Sequence, residues 1–178
     1  LLGPLLARAG AATLGPPGGC VIGRRAVGTH FDALSALGAS IMTDGENYEA
    51  KIENPKPAEI FLDEVSVTAT ENALMLAAAI PGETTIDNAA CEPHVGDLVE
   101  VLKKMGATVQ GSGSNSLAIS GKKPLHGFTH RVVSDHIEAG TLMIAAACTQ
   151  GHLIIRDVRQ PREPGRGGPL PTDRGGAG

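Results

Sequence analysis

A unit of about 68 residues recurs along this chain, and it limits the folds that the chain can adopt. The tripeptide Leu37–Ala39 returns as Met105–Ala107, and the apolar run Leu74–Ala79 returns as Leu142–Ala147. A third, partial copy lies at the amino end, in Leu5–Leu14. The sequence therefore predicts one complete unit flanked by two incomplete ones, and repeated units of this length assemble side by side around a shared core.

Two helices are predicted within one unit. From Val95 to Leu102 the apolar residues follow the i, i+3, i+4, i+7 spacing of an amphipathic helix, and Gly106 lies just beyond its predicted end. The segment from Val67 to Ile80 is apolar nearly all round. A helix of that composition is buried on most of its sides.

Short runs of β-forming residues precede or follow these helices, with turn sequences at Asp44-Gly45 and Gly111-Ser112-Gly113. The predicted strands are Glu59–Leu62, Thr84–Asp87, Ala107–Gln110 and Leu117–Ser120. The unit thus runs strand, buried helix, strand, amphipathic helix, strand, strand. Because one unit cannot cover its own buried helix, we expect an α/β (α+β) fold in which the units share a helical interior with sheets outside.

Composition excludes several classes of protein. The 178 residues, 42% of them hydrophobic, are enough for one domain with a core. A net charge of −4 and the absence of Trp argue against nucleic-acid binding. Cys20, Cys91 and Cys148 lack the spacing of a disulfide framework or a zinc site, which predicts no metal, no cofactor and a reducing, cytoplasmic setting. No apolar run approaches a membrane span, so no membrane partner is expected, and the oligomeric state is left open.

The loop Gly18–Gly23, with sequence Gly-Gly-Cys-Val-Ile-Gly, is the strongest candidate for chemistry. Arg24 and Arg25 follow it directly, and neighbouring guanidinium groups favour the reactive thiolate of Cys20 and attract anionic substrates. The alternative is a small cysteine that fills a turn. Alignment of the units places about four extra residues in this stretch, and insertions of this kind often carry function on one face of a repeat protein.

Several motifs together resemble the UDP-N-acetylglucosamine enolpyruvyl transferases, within the EPSP synthase-like superfamily. The cysteine loop is the most specific of them, and the resemblance covers residues 1 to about 160. The motifs are Leu2–Arg8, Pro17–Gly23 with Arg25 and His30, Ser66–Asn72, Asp87–Ala90 with Glu92-Pro93, and Asp135–Thr141.

This resemblance implies transfer of the enolpyruvyl group of phosphoenolpyruvate to UDP-N-acetylglucosamine with release of phosphate, the first committed step of peptidoglycan synthesis. It also implies an inside-out barrel of repeated βαβαββ units. Cys20 would be the catalytic acid and the target of the epoxide antibiotic fosfomycin, and Arg25 would hold phosphate. The other substrate-binding residues that it implies are Ala26, Val27, Gly28, Thr29, His30, Ser66, Val67 and Glu92.

Most of these assignments have a simpler alternative. His30 would lie near the nucleotide sugar, or else face solvent at a helix start. Ser66 and Val67 would offer backbone N–H groups to the diphosphate, and Ser66 would also serve as an ordinary helix N-cap. Glu92 would orient neighbouring groups across the cleft. Asp135 would cap the helix that follows it.

The chain departs from the family pattern at two positions, and these put substrate affinity in question. Gly28 stands where members carry Asp, and Glu64 stands where some carry Lys. The Lys-Asn pair, the Asp general base and the carboxy-terminal arginines of the family are not found here, which predicts an incomplete, inactive portion of the enzyme. Two alternatives remain open, a 3-phosphoshikimate enolpyruvyl transferase-like enzyme and a non-catalytic fragment with weak nucleotide-sugar binding.

The sequence predicts the following domain organisation. Residues 1–160 would form most of one enolpyruvyl transferase domain plus the start of the return to the other domain. Residues 161–178 are rich in Pro and Gly and nearly free of large apolar side chains, which predicts a disordered tail.

Overall fold

A computed structural model of the chain describes residues 1–16, 18, 27–121 and 124–158. It contains both helices and strands, so the predicted mixed fold class is confirmed. The helices of these ranges are α1 (Leu2–Ala9), α2 (Gly28–Ala36), α3 (Val67–Ala77), α4 (Pro93–Lys104) and α5 (His136–Cys148). The strands are β1 (Ala11–Leu14), β2 (Ala39–Asp44), β3 (Asn47–Ile52), β4 (Glu59–Phe61), β5 (Gly82–Asp87), β6 (Thr108–Gln110) and β7 (Ser116–Gly121).

The strands form two sheets with related orders, β1-β3-β2 and β4-β5-β7-β6. In each sheet, a strand that follows a helix pairs antiparallel with the second strand of a hairpin, as β1 does with β3 and β5 with β7. The hairpin's first strand lies on the other side of the second. Strand β4 extends the larger sheet by pairing parallel to β5. In the described residues, neither sheet closes on itself.

The element order between Glu59 and Gly121 agrees with the prediction, as do both hairpin turns. The predicted strand ends differ from the structure by one or two residues, and the largest error is at the buried helix, which ends at Ala77 rather than at Ile80. The N–H groups of Ala79 and Ile80 bond three residues back, to Leu76 and Ala77, which tightens the chain into a turn. Pro81 then prevents any continuation of the helix.

Helix α3 lies at the centre of the helical layer, in contact with α1, α2 and α4. Its buried residues include Ala69, Ala73 and Leu74, each with no exposed surface. Small side chains let α1 approach closely, and at the crossing the Gly3 N–H donates a 3.0 Å hydrogen bond to Asn72 Oδ1. The prediction of a helix buried on most of its sides is confirmed.

The segment 124–133 follows β7 and is held against α4 by a buried carboxylate. Asp97 Oδ1 lies 3.0 Å from His130 Nε2, and Asp97 Oδ2 accepts the Val133 N–H at 3.2 Å. The side chains of His130 and Asp97 are only 6% and 8% exposed. Lys104 Nζ donates to His130 Nδ1 at 3.0 Å. These bonds join residues 26 to 36 positions apart, and no local sequence pattern indicated them.

The chain divides into two compact units, Leu1–Val133 and Ser134–Gly178, and the second is described as far as residue 158. In the second unit, Asp135 caps α5 by accepting the N–H groups of Ile137 and Glu138 at 2.8 and 3.3 Å, as predicted. The predicted tail 161–178 lies outside the described residues. Over the ranges that the structure describes, no helix has both the length and the apolar character needed to cross a membrane.

Candidate active site

The structure describes some of the predicted site residues but not all of them. Cys20, Arg25 and Ala26 lie outside the described residues, so their assigned roles stay predictions. Description resumes at Val27, which is the N-cap of α2, and Gly28 is the first residue of that helix. An added Cβ at Gly28 would meet no atom of the described residues within 4 Å.

The next residue, Thr29, connects α2 to the loop before α3. Its hydroxyl donates to Glu64 Oε1 at 3.3 Å, and Thr29 is only 8% exposed. Glu64 stands where the resemblance implies Lys in some members of the family. The departure therefore has a local role, because the carboxylate accepts a bond that an ammonium group cannot accept.

Ser66 is the N-cap of α3, as the simpler alternative predicted. Its hydroxyl accepts the Ala69 N–H at 3.3 Å. Val67 is the first residue of the helix. The N–H groups in the first turn of an α-helix have no acceptor within the helix, and together with the helix dipole they favour an anion. Capping and anion binding at Ser66 and Val67 are compatible, because the cap satisfies only one of these donors.

His30 is half-buried and turns toward α3. Its Nε2 lies 3.2 Å from Thr68 Oγ1, and its Nδ1 lies 3.3 Å from Asn72 Nδ2. Burial disfavours the charged ring and lowers the pKa of His30 below its ordinary value of 6.5. The positive amino group of Leu1 lowers this pKa further, and the carboxylate of Glu64 opposes the shift.

The lowered pKa of His30 predicts a pH dependence of stability. The unfolded chain takes up this proton at higher pH than the folded chain, so His30's contribution is fully present above pH 6.5 and is lost as the pH falls through its lowered pKa. We expect the free energy of unfolding, measured by urea denaturation, to fall over this window. The variant His30→Gln removes the titrating group, so on acidification its free energy of unfolding should fall less than that of the wild type. An equal loss in both proteins would contradict the assignment.

Glu92 is the N-cap residue of α4, and it holds a buried acceptor without a partner. Among the described residues, no hydrogen bond reaches its buried Oε2 atom. Two residues earlier, the Ala90 N–H donates to Thr70 Oγ1 at 3.0 Å. This bond holds the segment that leads to Glu92 against the first turn of α3. Buried carboxylate oxygens in folded proteins nearly always have a partner. This atom is therefore available to a donor from a ligand or from another part of the protein.

The structure thus brings several predicted site residues together at the amino ends of α2 and α3. The Thr29–Glu64 and His30–Thr68 bonds join these two helix ends directly. Sequence reasoning missed Thr68 and Asn72, which flank His30. Their i, i+4 spacing just after the Ser66 cap was the available signal, since such residues share one helix face.

An apolar cavity elsewhere in the first unit, of about 590 Å³, is not part of this site. It is lined mainly by α1, α3, α4 and the segment after β7, and none of the predicted site residues that the structure describes contributes to its wall.

Comparison with known proteins identifies the family. A family model described as EPSP synthase (3-phosphoshikimate 1-carboxyvinyltransferase) matches residues 1–166. The chain belongs to the EPSP synthase family. Its resemblance to enolpyruvyl transferases, noted from the motifs, is thereby confirmed.

One similar relative within the EPSP synthase family is a UDP-N-acetylglucosamine 1-carboxyvinyltransferase of Treponema denticola. It is 53% identical over 161 residues, which cover 90% of this chain and 37% of the relative. The chain therefore spans little more than a third of the length of this relative.

Solved structures of other enolpyruvyl transferases share the fold. The enolpyruvyl transferase NikO from Streptomyces tendae matches with a TM-score of 0.67 and 24% identity, over 80% of this chain and 35% of that one. An EPSP synthase from Acinetobacter baumannii matches with a TM-score of 0.61 and 23% identity, over 83% of this chain and 33% of that one. At these identities the likeness establishes the fold alone.

Proposed function

We propose that this chain is part of an enzyme that transfers the enolpyruvyl group of phosphoenolpyruvate to UDP-N-acetylglucosamine and releases phosphate, in peptidoglycan synthesis. The observation that carries the proposal is the 53% identity to the Treponema denticola enzyme of that name. The arrangement of Thr29, His30, Ser66 and Val67 at two helix ends supports it.

In the proposed reaction, the methylene carbon of phosphoenolpyruvate gains a proton while the neighbouring carbon becomes oxocarbenium-like and is attacked by the sugar hydroxyl, whose proton passes to a base. Phosphate then leaves as the new methyl group loses a proton, which restores the carbon–carbon double bond of the enolpyruvyl group. Cys20 is the proposed acid, and Arg25 holds the phosphate that leaves. A free thiol at Cys20 requires a reducing compartment, so a cytoplasmic location is part of the proposal. No step requires a metal or an organic cofactor.

The nucleotide sugar is proposed to lie along residues 25–30 and across the start of α3. The first-turn N–H groups at Ser66 and Val67 face its diphosphate, where the helix dipole favours negative charge. The unpartnered Oε2 of Glu92 accepts from a donor across the cleft. Glu64 places a carboxylate beside this region through its bond to Thr29, so the proposed affinity for an anionic ligand is lower than with Lys at this position.

The finer description of the fold is also a proposal. We infer an inside-out barrel of repeated βαβαββ units, supported by the related strand orders of the two sheets and by the position of α3 among three other helices. Residues 1–160 then form most of one domain plus the start of the return to the other, with 161–178 as a tail.

Two other functions are weaker candidates. A 3-phosphoshikimate enolpyruvyl transferase shares the family and the fold, but two solved structures of EPSP synthase from Acinetobacter baumannii are only 23% identical to the chain. A non-catalytic fragment with weak nucleotide-sugar binding is consistent with a chain that covers 37% of its relative. Turnover is proposed to require the rest of the enzyme.

Ligand binding separates a nucleotide-sugar site from a 3-phosphoshikimate site. The chain, labelled with ¹⁵N, is titrated with UDP-N-acetylglucosamine and separately with 3-phosphoshikimate, and phosphate release from phosphoenolpyruvate is assayed in parallel. We expect the nucleotide sugar to shift the amide signals of Val67 and Thr68 at the start of α3, with no phosphate release by the chain alone. The amide signals of β6, which contains no site residue, provide an internal control. Shifts with 3-phosphoshikimate only, or with neither ligand, would overturn the proposed function.

A further inference from the structure

We propose that Asn72 is a positioning residue that holds His30 as the neutral tautomer with its proton on Nε2, so that His30 meets the nucleotide sugar as an uncharged group. The placement of His30 in a substrate site rests on the proposed function. The choice of tautomer rests only on contacts within the first unit.

The orientation of the Asn72 side-chain amide is fixed by its partners. Asn72 Oδ1 accepts the Gly3 N–H at 3.0 Å and the Leu1 amino group at 3.2 Å. Asn72 Nδ2 donates to the Thr68 carbonyl oxygen at 2.9 Å. Exchanging the oxygen and nitrogen of the amide would oppose donor to donor and acceptor to acceptor at all of these contacts. Asn72 is 8% exposed, so water does not replace these partners.

The fixed amide determines which ring nitrogen of His30 carries the proton. Asn72 Nδ2 can donate a hydrogen bond but cannot accept one, and it lies 3.3 Å from His30 Nδ1. Nδ1 must therefore accept, which places the single ring proton of the neutral imidazole on Nε2. That proton points at Thr68 Oγ1, 3.2 Å away, which has lone pairs to receive it. A second proton on Nδ1 would face the Asn72 amide hydrogens, so the contact also opposes the charged ring.

The charged groups near His30 do not change which ring nitrogen carries the proton. The Leu1 amino group disfavours a positive ring, whereas the Glu64 carboxylate favours one. Glu64 is already engaged by the Thr29 hydroxyl at 3.3 Å. The neutral ring also determines how the Thr68 hydroxyl bonds. Its oxygen accepts from Nε2, so its hydrogen is free to donate to another group.

The tautomer is read directly from the ring ¹⁵N signals of His30 in a long-range ¹H–¹⁵N correlation spectrum, at a pH where the ring is neutral. The His30→Gln variant identifies the signals by their loss. We expect a protonated, pyrrole-like Nε2 and an unprotonated, pyridine-like Nδ1. A wild-type ring with its proton on Nδ1 would overturn the inference without any ligand being present, and so independently of the proposed function.

Two substitutions test whether Asn72 is the cause. Asn72→Asp keeps the shape and the acceptor for Gly3 but replaces the amide donor with a second acceptor, so we expect a proton to appear on Nδ1. Asn88→Asp makes the same change at a side chain that bonds to the Leu62 carbonyl, and the His30 signals should not change. A folded Asn72→Asp protein that retains the wild-type ring signals would contradict the inference.

Asn72→Asp also brings a carboxylate against the Thr68 carbonyl oxygen, so it carries a risk of unfolding. Thr68→Val, at an exposed side chain, provides a test that does not depend on that variant. It removes the partner of Nε2 but leaves Asn72 in place, so the ring should keep its proton on Nε2. If the proton moved to Nδ1 in this variant, Thr68 would be the residue that sets the tautomer and the inference would be wrong.

Discussion

Replacing Gly3 with Ala is expected to lower the free energy of unfolding of the first unit by roughly 3 kcal/mol. A Cβ built at Gly3 overlaps the backbone carbonyl oxygen of Asn72. A backbone atom inside a buried helix cannot rotate away as a flexible side chain can. Moving α1 away from α3 would instead lengthen the 3.0 Å bond from the Gly3 N–H to Asn72 Oδ1.

The same substitution at Gly28 is the matched control. Gly28 is also in the first turn of a helix of this unit, but a Cβ there meets no atom of the described part of the chain within 4 Å. Gly28→Ala should leave stability unchanged or raise it by up to about 1 kcal/mol, because alanine restricts the unfolded chain. Urea denaturation followed by circular dichroism measures both variants. A Gly3→Ala protein within about 0.5 kcal/mol of the wild type would show that the two helices do not cross as closely as described.

Replacing Asp97 with Ala is the second large expected effect, a loss of about 3 kcal/mol in the free energy of unfolding. The substitution leaves the Val133 N–H and the His130 ring without their acceptor, and both bonds lie in a largely buried place. An unpartnered buried donor costs more than the net value of the bond that it loses. Release of the segment 124–133 from α4 should also raise the hydrogen-exchange rate of the Val133 amide.

Glu100 supplies the control on the same helix. It pairs with Lys103 at 3.1 Å, but the two side chains are 52% and 39% exposed. Glu100→Ala removes the same charge and should change stability by no more than about 0.5 kcal/mol. Equal effects of the two substitutions would mean that the Asp97 carboxylate does not hold the segment in place.

Local periodicity was sufficient to predict much of the fold. The apolar spacing from Val95 to Leu102 identified α4, and the apolar segment after Ser66 identified α3, because helix faces are encoded by neighbouring residues. Turn residues located both hairpins for the same reason. The end of α3 was misplaced because Ala78, Ala79 and Ile80 are as apolar as the helix, and only Pro81 marks the turn.

Contacts between distant segments were not predictable in this way. His130 and Asp97 are 33 residues apart, and His30 and Asn72 are 42 apart. Both pairs form because tertiary packing brings separate elements together, and no local pattern specifies which polar residue will meet which. For the candidate site, the motifs drew attention to Thr29, His30 and Ser66, while Thr68 and Asn72 became apparent only from the packing of α2 on α3.

Helix α5 shows that the burial of a helix is also not determined by its own sequence. Its run Leu142–Ala147 repeats the run Leu74–Ala79 of α3 almost residue for residue. In α3 these side chains are mostly buried, whereas Met143 and Ile144 of α5 are 57% and 66% exposed. The sequence encodes the tendency of both helices to be buried. Whether a helix is covered depends on its neighbours, which in α3 are α1, α2 and α4.

The most direct test of the central claim is covalent modification of Cys20 by fosfomycin in the presence of UDP-N-acetylglucosamine. The thiolate opens the epoxide, a carbon–sulfur bond forms as a carbon–oxygen bond breaks, and the alkoxide takes a proton, so the protein gains the mass of one inhibitor molecule. We predict one adduct, mapped by peptide mass spectrometry to Cys20, formed faster with the nucleotide sugar and absent in Cys20→Ser. Modification of the exposed Cys91 and Cys148 at the same rate as Cys20, or none at Cys20, would contradict an enolpyruvyl transferase site on this chain.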